Sequence, residues 1–220
     1  FVVMGGSGCG KSTLLRHLVG LLEPTAGEVM HSGESFTGSS KAARERMVRK
    51  CGVLFQQGAL WSNLTLAENV ALPLKEYSQL GLRAIREMVR FKLALVGLQG
   101  FEDFYPSKIS GGMRKRAGLA RAMALDPEIL LFDEPSAGLD PVTSQRLDET
   151  ILKIRDSLGT TVVIITHELS SLYAVADRAL FLDAEEKTMT ALGPPLELLK
   201  NPPNERVEAF LTRNGTERIS

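Results

Sequence analysis

The 220-residue sequence lacks several features that mark membrane-spanning, disulfide-rich and nucleic-acid-binding chains. Its 2 cysteines are too few for a disulfide framework, which indicates a reducing, cytosolic type of compartment. No uninterrupted apolar run exceeds 5 residues, whereas a membrane-spanning helix needs about 20. The 26 basic and 26 acidic residues balance, and no block of like charge is present, so we expect no nucleic-acid partner.

Short apolar segments alternate with amphipathic segments along most of the chain. Strands are predicted at residues 1–4, 27–31, 52–55, 129–132, 161–166 and 179–182. Helices are predicted at residues 11–22, 40–50, 110–125, 142–158, 169–176 and 205–211, and residues 64–98 show helical spacing of apolar residues. Because helices in such an alternation cover both faces of a sheet, the pattern predicts an α/β fold with a mostly parallel sheet.

The order of these segments predicts one domain with an inserted helical lobe. Residues 1–56 and 126–193 contain the strands and form the predicted core, residues 57–125 form the helical lobe, and residues 194–220 form a polar tail with one short helix. A strand needs paired neighbours. The apolar strand that starts at Phe1 therefore leads us to expect natural sequence upstream of it.

A glycine-rich turn lies between the first predicted strand and the first predicted helix. It fits the pattern G-x-x-x-x-G-K-[ST] and consists of Gly5, Gly6, Ser7, Gly8, Cys9, Gly10, Lys11 and Ser12, with Thr13 next in the helix. The glycines let backbone N–H groups point inward, and the helix N-terminus adds partial positive charge, so the turn suits a polyphosphate. We expect Lys11 to contact the β- and γ-phosphates and Ser12 to ligate Mg²⁺.

The alternative interpretation of this turn is a glycine-rich corner without a ligand. That interpretation does not account for a lysine followed by two hydroxyl residues at a helix start. Cys9 is interpreted as a small loop residue and not as a redox switch, because the neighbouring sequence supplies no resolving thiol.

Two carboxylates follow the predicted strand 129–132. Ligand sites in open α/β sheets gather at the carboxyl ends of strands, so Asp133 is expected to hold Mg²⁺ and Glu134 to act as the general base on the water that attacks the γ-phosphate. Alone, such a pair is also common at a strand exit. His167 follows the strand 161–166 at the same edge, where an isolated histidine is usually structural.

Together these motifs resemble the nucleotide-binding domain of ATP-binding cassette (ABC) transporters. Gln56 resembles the glutamine of the family's Q-loop, and His167 resembles its switch histidine. The family's signature motif and D-loop are matched by residues 109–113 and 136–140, which include Ser110, Gly111, Gly112 and Asp140. The resemblance implies a P-loop NTPase fold with a RecA-like core, ATP as substrate, hydrolysis by Glu134 with His167 and Gln56, and Mg²⁺ held by Ser12, Gln56 and Asp133.

The resemblance also implies that each chain carries two half-sites. Ser110 precedes a predicted helix with two glycines, so its hydroxyl and the helix N-terminus form a second anion site. In the family, the phosphate turn of one copy faces the signature serine of the other, with ATP between them. We therefore expect a homodimer, with Gly111, Gly112 and Asp140 also contributing to nucleotide binding, and hydrolysis that requires two copies.

The sequence departs from the family pattern in two places. Met113 stands where the signature motif usually has glutamine, and a thioether cannot donate a hydrogen bond to the ribose. The aromatic residue that stacks on adenine in the family lies upstream of the phosphate turn, where this sequence has only residues 1–4. We expect weak or absent nucleotide binding from the chain as given, unless natural sequence upstream restores the base-binding residue.

Among ABC ATPases, the sequence is most similar to the Mla-type proteins of MCE lipid-transport systems. The similarity lies in residues 109–117, 55–60 and 69–74. It implies a homodimer under two permease subunits at the cytoplasmic face of the inner membrane, phospholipid transport and an MCE-type lipid-binding partner. The permease is expected to contact the helical lobe near Trp61 to Leu74.

Several alternatives remain open at the level of sequence. The chain also fits an importer ATPase for amino acids, metals or another small solute, and less well a soluble ABC protein or a cassette that binds ATP without turnover. Trp61, Leu64 and Leu66 are either a permease groove or core of the lobe, and core is favoured for each. Lys115 and Arg116 either steer ATP, face the partner or form a solvated helix surface, and the solvated surface is favoured for both.

Overall fold

The computed structural model describes residues 1–212, in which strands and helices alternate as predicted. The strands are β1 (Val2–Gly5), β2 (Met30–His31), β3 (Glu34–Ser35), β4 (Cys51–Leu54), β5 (Ile129–Asp133), β6 (Thr161–Ile165), β7 (Ala179–Asp183) and β8 (Thr188–Gly193). The helices are α1 (Lys11–Leu18), α2 (Lys41–Arg49), α3 (Leu66–Tyr77), α4 (Leu82–Leu95), α5 (Gly111–Ala122), α6 (Pro141–Leu158), α7 (Leu169–Val175), α8 (Pro195–Lys200) and α9 (Glu205–Thr212). A 3-10 turn covers Pro106–Lys108.

Six of these strands form one mixed sheet in the order β4-β5-β6-β1-β7-β8. The first five run parallel, and β8 pairs antiparallel with β7. Since parallel strands end at the same edge of a sheet, the segments that follow β1, β4, β5 and β6 meet there. This edge carries the glycine-rich turn, Gln56, Asp133 with Glu134, and His167.

Successive side chains of β1 enter hydrophobic clusters on opposite faces of the sheet, as the period of two residues in a strand requires. Val2 and Met4 belong to the larger cluster, together with residues of α5, α6 and α7. Val3 belongs to the smaller cluster, which contains buried residues of α1, β5 and β6, namely Leu15, Leu131 and Ile165, together with Val19. The sheet is thus buried on both faces, as predicted.

The helical lobe is built from α3, α4 and α5. A capping box between Thr65 and Glu68 starts α3, and the buried Asn69 side chain binds backbone groups of Trp61, Leu64 and Thr65. These bonds fix the loop that precedes α3. No helix within residues 1–212 is both long and apolar enough to cross a membrane.

The prediction differs from the structure between β1 and β4. Helix α1 ends at Leu18 and not at residue 22, because Gly20 turns into the left-handed region with φ 73°. The predicted strand 27–31 is wrong apart from Met30–His31, which pairs with the unpredicted strand Glu34–Ser35 in a separate hairpin. That hairpin is not part of the six-stranded sheet.

The segment predicted as a tail from residue 194 contains the predicted helix 205–211, which is α9, but more of it is ordered and buried than the sequence predicted. Helix α8 was not predicted, and neither was β8, the edge strand before it. Leu198, Val207 and Leu211 are buried in the larger hydrophobic cluster, so this segment packs on the core. Residues 213–220 of the predicted tail lie outside the described residues.

Three further expectations concern individual side chains of the lobe. Trp61 is 61% exposed, so its interpretation as core is wrong, whereas Leu66 is fully buried and Leu64 is half-buried. Lys115 is only 7% exposed, so its interpretation as solvated surface is wrong. Arg116 is half-buried, and its guanidinium donates to the carbonyls of Val96 and Gly97.

Candidate functional site

A cleft of about 780 Å³ lies at the carboxyl edge of the sheet. It is lined by Gly5, Gly6, Ser7, Gly8, Gly10, Lys11, Ser12, Thr13, Gln56, Asp133, Glu134, His167, Leu169 and Phe210. Four loops that follow parallel strands thus bring most of the predicted site residues to one surface. Leu169 and Phe210 also line the cleft, although no sequence motif predicted them as site residues. Phe210 lies on α9 and packs edge-on against Phe181, with ring centroids 5.2 Å apart.

The glycine-rich turn can close only because its first residue has no side chain. Gly5 has φ 147°, and a Cβ at this position would lie 2.4 Å from the Leu182 carbonyl oxygen. Gly10 has φ 99° and precedes α1 directly. The first N–H groups of α1 have no partner within their own helix, so the turn ends at a centre of partial positive charge.

The Lys11 ammonium lies inside this turn. Its Nζ donates to the carbonyl oxygens of Gly5 and Gly6, at 2.9 Å in both cases. Cys9 lies within the turn as well, with its sulfur 3.7 Å from Nζ. The positive charge is therefore at the cleft wall, where a polyphosphate would be held.

The side chains of Ser12 and Asp133 meet at the base of the cleft. Ser12 Oγ donates to Asp133 Oδ1 at 3.3 Å. Neighbouring ligands of an octahedral Mg²⁺ lie about 2.9 Å apart, so a hydroxyl and a carboxylate at this separation fit such an ion. Within residues 1–212 no cluster of three His, Cys, Asp or Glu side chains could hold a metal. Two protein ligands leave the other positions around Mg²⁺ to phosphate and water, as Mg²⁺ commonly has them.

Glu134 and His167 form a pair at the cleft. His167 Nδ1 lies 2.8 Å from both carboxylate oxygens of Glu134 and meets hydrogen-bond geometry with Oε1. The Glu134 side chain is 13% exposed, and its buried Oε2 accepts no hydrogen bond from the described part of the chain. A largely buried carboxylate held beside an imidazole fits the acceptor of a proton from water.

The backbone around Glu134 is constrained. Glu134 has φ 50°, a left-handed conformation that is uncommon for a residue with a side chain. Its N–H donates to the Ile165 carbonyl at 2.8 Å. This bond links the residue that follows β5 to the last residue of β6, and it sets Glu134 near His167, two residues further along the chain.

The predicted signature and D-loop residues do not line the cleft at the glycine-rich turn. Ser110 is exposed at the N-terminus of α5, where its Oγ accepts from the Met113 N–H at 3.2 Å. Gly112 is buried, and a Cβ there would lie 2.6 Å from Thr143 Cγ2. Gly111 lines a second cleft of about 660 Å³, which Gln56 also borders.

Asp140 is exposed and begins α6. Its carboxylate accepts from the backbone N–H of Thr143 at 3.0 Å and from the Thr143 hydroxyl. These hydrogen bonds lower the pKa of Asp140. The residue is therefore an N-cap in this structure, and it lies outside both clefts described above.

Comparison with known families agrees with this arrangement. The model of the family described as ABC transporter matches residues 1–137. The chain belongs to the ABC transporter family. It is accordingly an ABC transporter ATPase, which binds and hydrolyses ATP. The family membership and the mostly parallel P-loop fold agree with the resemblance inferred from the sequence motifs.

Individual relatives differ in what they transport. The chain is 39% identical to the intermembrane phospholipid transport system ATP-binding protein MlaF of Escherichia coli, over 95% of this chain and 77% of MlaF. It is 41% identical to the glycine betaine transport ATP-binding protein OpuAA of Bacillus subtilis, over 96% of this chain and 50% of OpuAA. Among solved structures, the dimeric post-hydrolysis state of the cassette MJ0796 bound to ADP and Pi has a TM-score of 0.77 and 29% identity, covering 88% of this chain and 84% of that one.

Proposed function

We propose that this ABC ATPase acts as a homodimer that drives a membrane permease in phospholipid transport. The observation that carries the substrate class is the similarity to MlaF, which extends over 95% of this chain. The homodimer is supported by the dimeric MJ0796 cassette and by the two separate clefts of the single chain. In this proposal the protein works at the cytoplasmic face of the inner membrane, and an MCE-type lipid-binding protein is proposed as a further partner of the same system.

The residues at the glycine-rich turn are proposed to hold the triphosphate. Lys11 binds the β- and γ-phosphates, and the N–H groups of residues 5–13 line the polyphosphate. Ser12, Asp133 and Gln56 would hold Mg²⁺, directly or through water. Bound there, Mg²⁺ would neutralise negative charge on the phosphate oxygens.

Glu134 is proposed to be the general base. Its buried carboxylate takes the proton of the attacking water, while His167 orients that carboxylate through the 2.8 Å contact at Nδ1. The Nε2 atom of His167 remains for the γ-phosphate. Ser110, Gly111, Gly112 and Asp140 complete the site of the partner copy, since they do not line the cleft at their own glycine-rich turn.

The permease surface is proposed to lie on the helical lobe. A groove of about 840 Å³ runs between α3 and α4 and is lined by apolar Ala71, Ile85 and Val89 and by charged side chains. Trp61, Leu82 and Phe91 are large apolar side chains of the same lobe that remain exposed. An amphipathic permease helix could bury such a surface in the helix-in-groove mode.

The substrate class is tested by identifying what the transporter carries. The natively expressed protein is purified with its permease, and the small molecules bound to the complex are extracted and identified by mass spectrometry. We expect glycerophospholipids, and addition of phospholipid vesicles should stimulate ATP hydrolysis. A complex that binds no phospholipid but binds a small solute would contradict phospholipid transport and leave the ATPase assignment intact.

One specific observation favours a second candidate. The 41% identity to OpuAA is as high as the identity to MlaF, although OpuAA is about twice as long as the matched region. An importer ATPase for a small solute therefore remains the second candidate. The same mass-spectrometric experiment distinguishes the two candidates, because a phospholipid and a small polar solute differ in mass and in extraction behaviour.

A further inference from the structure

Lys115 is a buried cation beside the proposed general base. It lies on α5 and is 7% exposed, whereas Arg114 on the same helix is exposed. Its Nζ donates to the Ala137 carbonyl oxygen and lies 3.5 Å from the Glu134 carbonyl oxygen. Both carbonyls belong to residues 134–138, which lie between β5 and α6 and which we call the base loop.

Burying the Lys115 ammonium lowers folding stability, and a residue that served only for packing would not need this charge. No carboxylate within residues 1–212 lies within ion-pairing distance of Lys115 Nζ. Burial lowers the pKa of Lys115, although the charges of Glu168 and Glu134 oppose this effect. A buried cation that is compensated only by carbonyl oxygens is less favourable than a packed apolar side chain.

The contacts of Lys115 restrain the base loop at Glu134, whose backbone conformation sets the direction of its carboxylate. The Glu134 N–H is already bonded to the Ile165 carbonyl, so Lys115 adds a restraint on the opposite, carbonyl side of the same residue. Glu134 has left-handed φ, which persists only where surrounding contacts fix it. The direction of its carboxylate depends on this backbone conformation.

Lys115 also joins the base loop to the signature motif. Ser110 caps the N-terminus of α5, and Lys115 follows five residues later, about 7.5 Å along the helix axis. A helix of this length moves as a rigid unit. A shift of α5 when its N-terminus engages nucleotide on the partner copy would therefore move the carbonyl anchors of Glu134.

We propose that Lys115 is a positioning residue that aligns Glu134 through its main chain and couples this alignment to the position of α5. The inference rests on the proposed role of Glu134 as general base. It assigns to Lys115 no contact with ATP. Its loss should therefore lower turnover and leave ATP affinity nearly unchanged.

The first experiment measures ATP turnover and ATP affinity of the natively expressed protein and its Lys115→Met variant. Methionine keeps the apolar stem and removes the donors. We expect kcat to fall about 10- to 100-fold, as for misplacement of a catalytic group, with the Kd for ATP within about twofold of wild type. The matched control is Arg116→Met, which also removes two bonds to carbonyls of the lobe and should leave kcat within about twofold. An unchanged kcat in Lys115→Met would overturn the proposal.

A double-mutant comparison tests whether Lys115 acts through Glu134. Residues that act as one unit are not additive, so Lys115→Met should lower kcat no further in a Glu134→Gln background. A further loss of the same size in that background would contradict the proposal. If Glu134→Gln alone leaves kcat unchanged, the assignment of Glu134 fails, which is a different result from failure of Lys115.

A second variant guards against misfolding. If Lys115→Met loses its cooperative thermal transition, Lys115→Gln replaces it, because glutamine is polar like lysine but its shorter side chain does not bring N–H donors to both carbonyl oxygens. We expect this variant to have a kcat between those of wild type and Glu134→Gln, with ATP affinity retained. A folded Lys115→Gln protein with wild-type kcat, or with lost ATP affinity, would overturn the proposal.

Discussion

Glu134 occupies a backbone conformation that costs about 1 kcal/mol or more for a residue with a Cβ. Three contacts hold it there, with the Ile165 carbonyl, the Lys115 ammonium and the His167 ring. This backbone strain lowers folding stability. It also fixes the direction in which the Glu134 carboxylate points at the cleft. Strained residues of this kind cluster at functional sites, which agrees with the proposed role of Glu134.

Replacing Glu134 with glutamine should abolish most turnover and preserve nucleotide binding. Glutamine is nearly isosteric but cannot accept the proton of the attacking water. We expect kcat to fall by roughly 10²- to 10⁴-fold, the usual contribution of a general base. Steady-state phosphate release and equilibrium ATP binding measure the two effects.

The control for this substitution is Glu128→Gln, at the other end of the same strand. Glu128 forms an exposed ion pair with Lys50, and such pairs contribute little. The kcat of the Glu128→Gln variant should equal that of wild type. Normal phosphate release from Glu134→Gln would show that another group takes the proton.

A second buried carboxyl, Asp148, should make folding stability depend on pH. Burial raises the pKa of Asp148 from the ordinary 3.8 to about 6. The Ser171 hydroxyl donates a hydrogen bond to the Asp148 carboxylate at 2.8 Å, which opposes this shift. Between these values the folded state binds a proton that the unfolded state has lost. The contribution of Asp148 to the free energy of unfolding therefore falls as pH rises from about 4 to about 6, and it is constant above that.

The measurement is urea unfolding of wild type and Asp148→Asn between pH 4 and pH 7. The variant lacks this ionisation, so its stability relative to wild type should rise across the interval by about 1–3 kcal/mol. Asp156→Asn on the same helix removes an exposed carboxylate and should show a much smaller change. Parallel stability curves for wild type and Asp148→Asn would contradict the assignment.

Among individual residues, those in motifs that bind a chemical group were easier to predict than those that support such motifs. The glycine-rich turn and the Asp133-Glu134 pair follow recognisable patterns at strand ends. Lys115 does not, because it lies between Arg114 and Arg116 in a stretch that reads as a charged surface. Only the packing of α5 against the base loop determines that this side chain is buried. Phe210 likewise reaches the cleft through the position of α9, which no local pattern encodes.

The strands that the sequence pattern did not predict are short or have small residues on their buried side. In the β2-β3 hairpin, Ser32 and Gly33 both have positive φ, as a two-residue type I′ turn requires. The Ser-Gly pair was a signal for this turn, but the flanking strands have only two residues each. In β8 the buried side is Ala191 and Gly193, so hydrophobic alternation is weak even though the strand completes the sheet.

The contact between β4 and α5 should be sensitive to a single methyl group. A Cβ on Gly52 would lie 2.1 Å from the Ala122 carbonyl oxygen, which belongs to the helix backbone. Gly52→Ala should therefore cost about 1–3 kcal/mol by overpacking, equivalent to a Tm lower by roughly 2–12 °C for a chain of this length. Differential scanning calorimetry measures the shift.

Gly81→Ala is the matched control for this substitution. Gly81 precedes α4 with φ −68°, and a Cβ there meets no atom within 4 Å. Its Tm should lie within about 2 °C of wild type, since surface substitutions away from special features change stability little. Equal melting temperatures for Gly52→Ala and wild type would show that β4 and α5 separate easily.

At the scale of the whole molecule, Trp61 tests the surface proposed for the permease. It is 61% exposed, so truncation should not disturb the core. Trp61→Ala should reduce substrate transport by the reconstituted complex at least several-fold, because aromatic residues often dominate interface energetics, and basal ATP hydrolysis should remain unchanged. Met189→Ala, an exposed apolar residue on β8, is the control. Undiminished transport by Trp61→Ala would exclude this residue from the coupling surface.

The pairing of two copies is the property that a single chain's sequence pattern could not establish. Periodicity and strand order place Lys11 and Glu134 together, because both follow strands of one sheet. The same physics places Ser110 at the start of another helix, outside that cleft. Only the family resemblance predicted that a second copy joins the two half-sites.

Ser110 gives a direct test of this pairing. With ATP and Mg²⁺, the Glu134→Gln protein should elute as a dimer, because binding without hydrolysis stabilises the closed state. Adding Ser110→Arg should return it to a monomer, since the exposed N-terminus of α5 would present a bulky side chain to the partner's nucleotide. The control is Ala42→Arg, which adds the same side chain at an exposed small residue on α2 and should leave the dimer intact.

Multi-angle light scattering after gel filtration measures the mass of each variant. A Ser110→Arg protein that still dimerises fully with ATP would rule out the head-to-tail arrangement, because that arrangement leaves no room for the arginine.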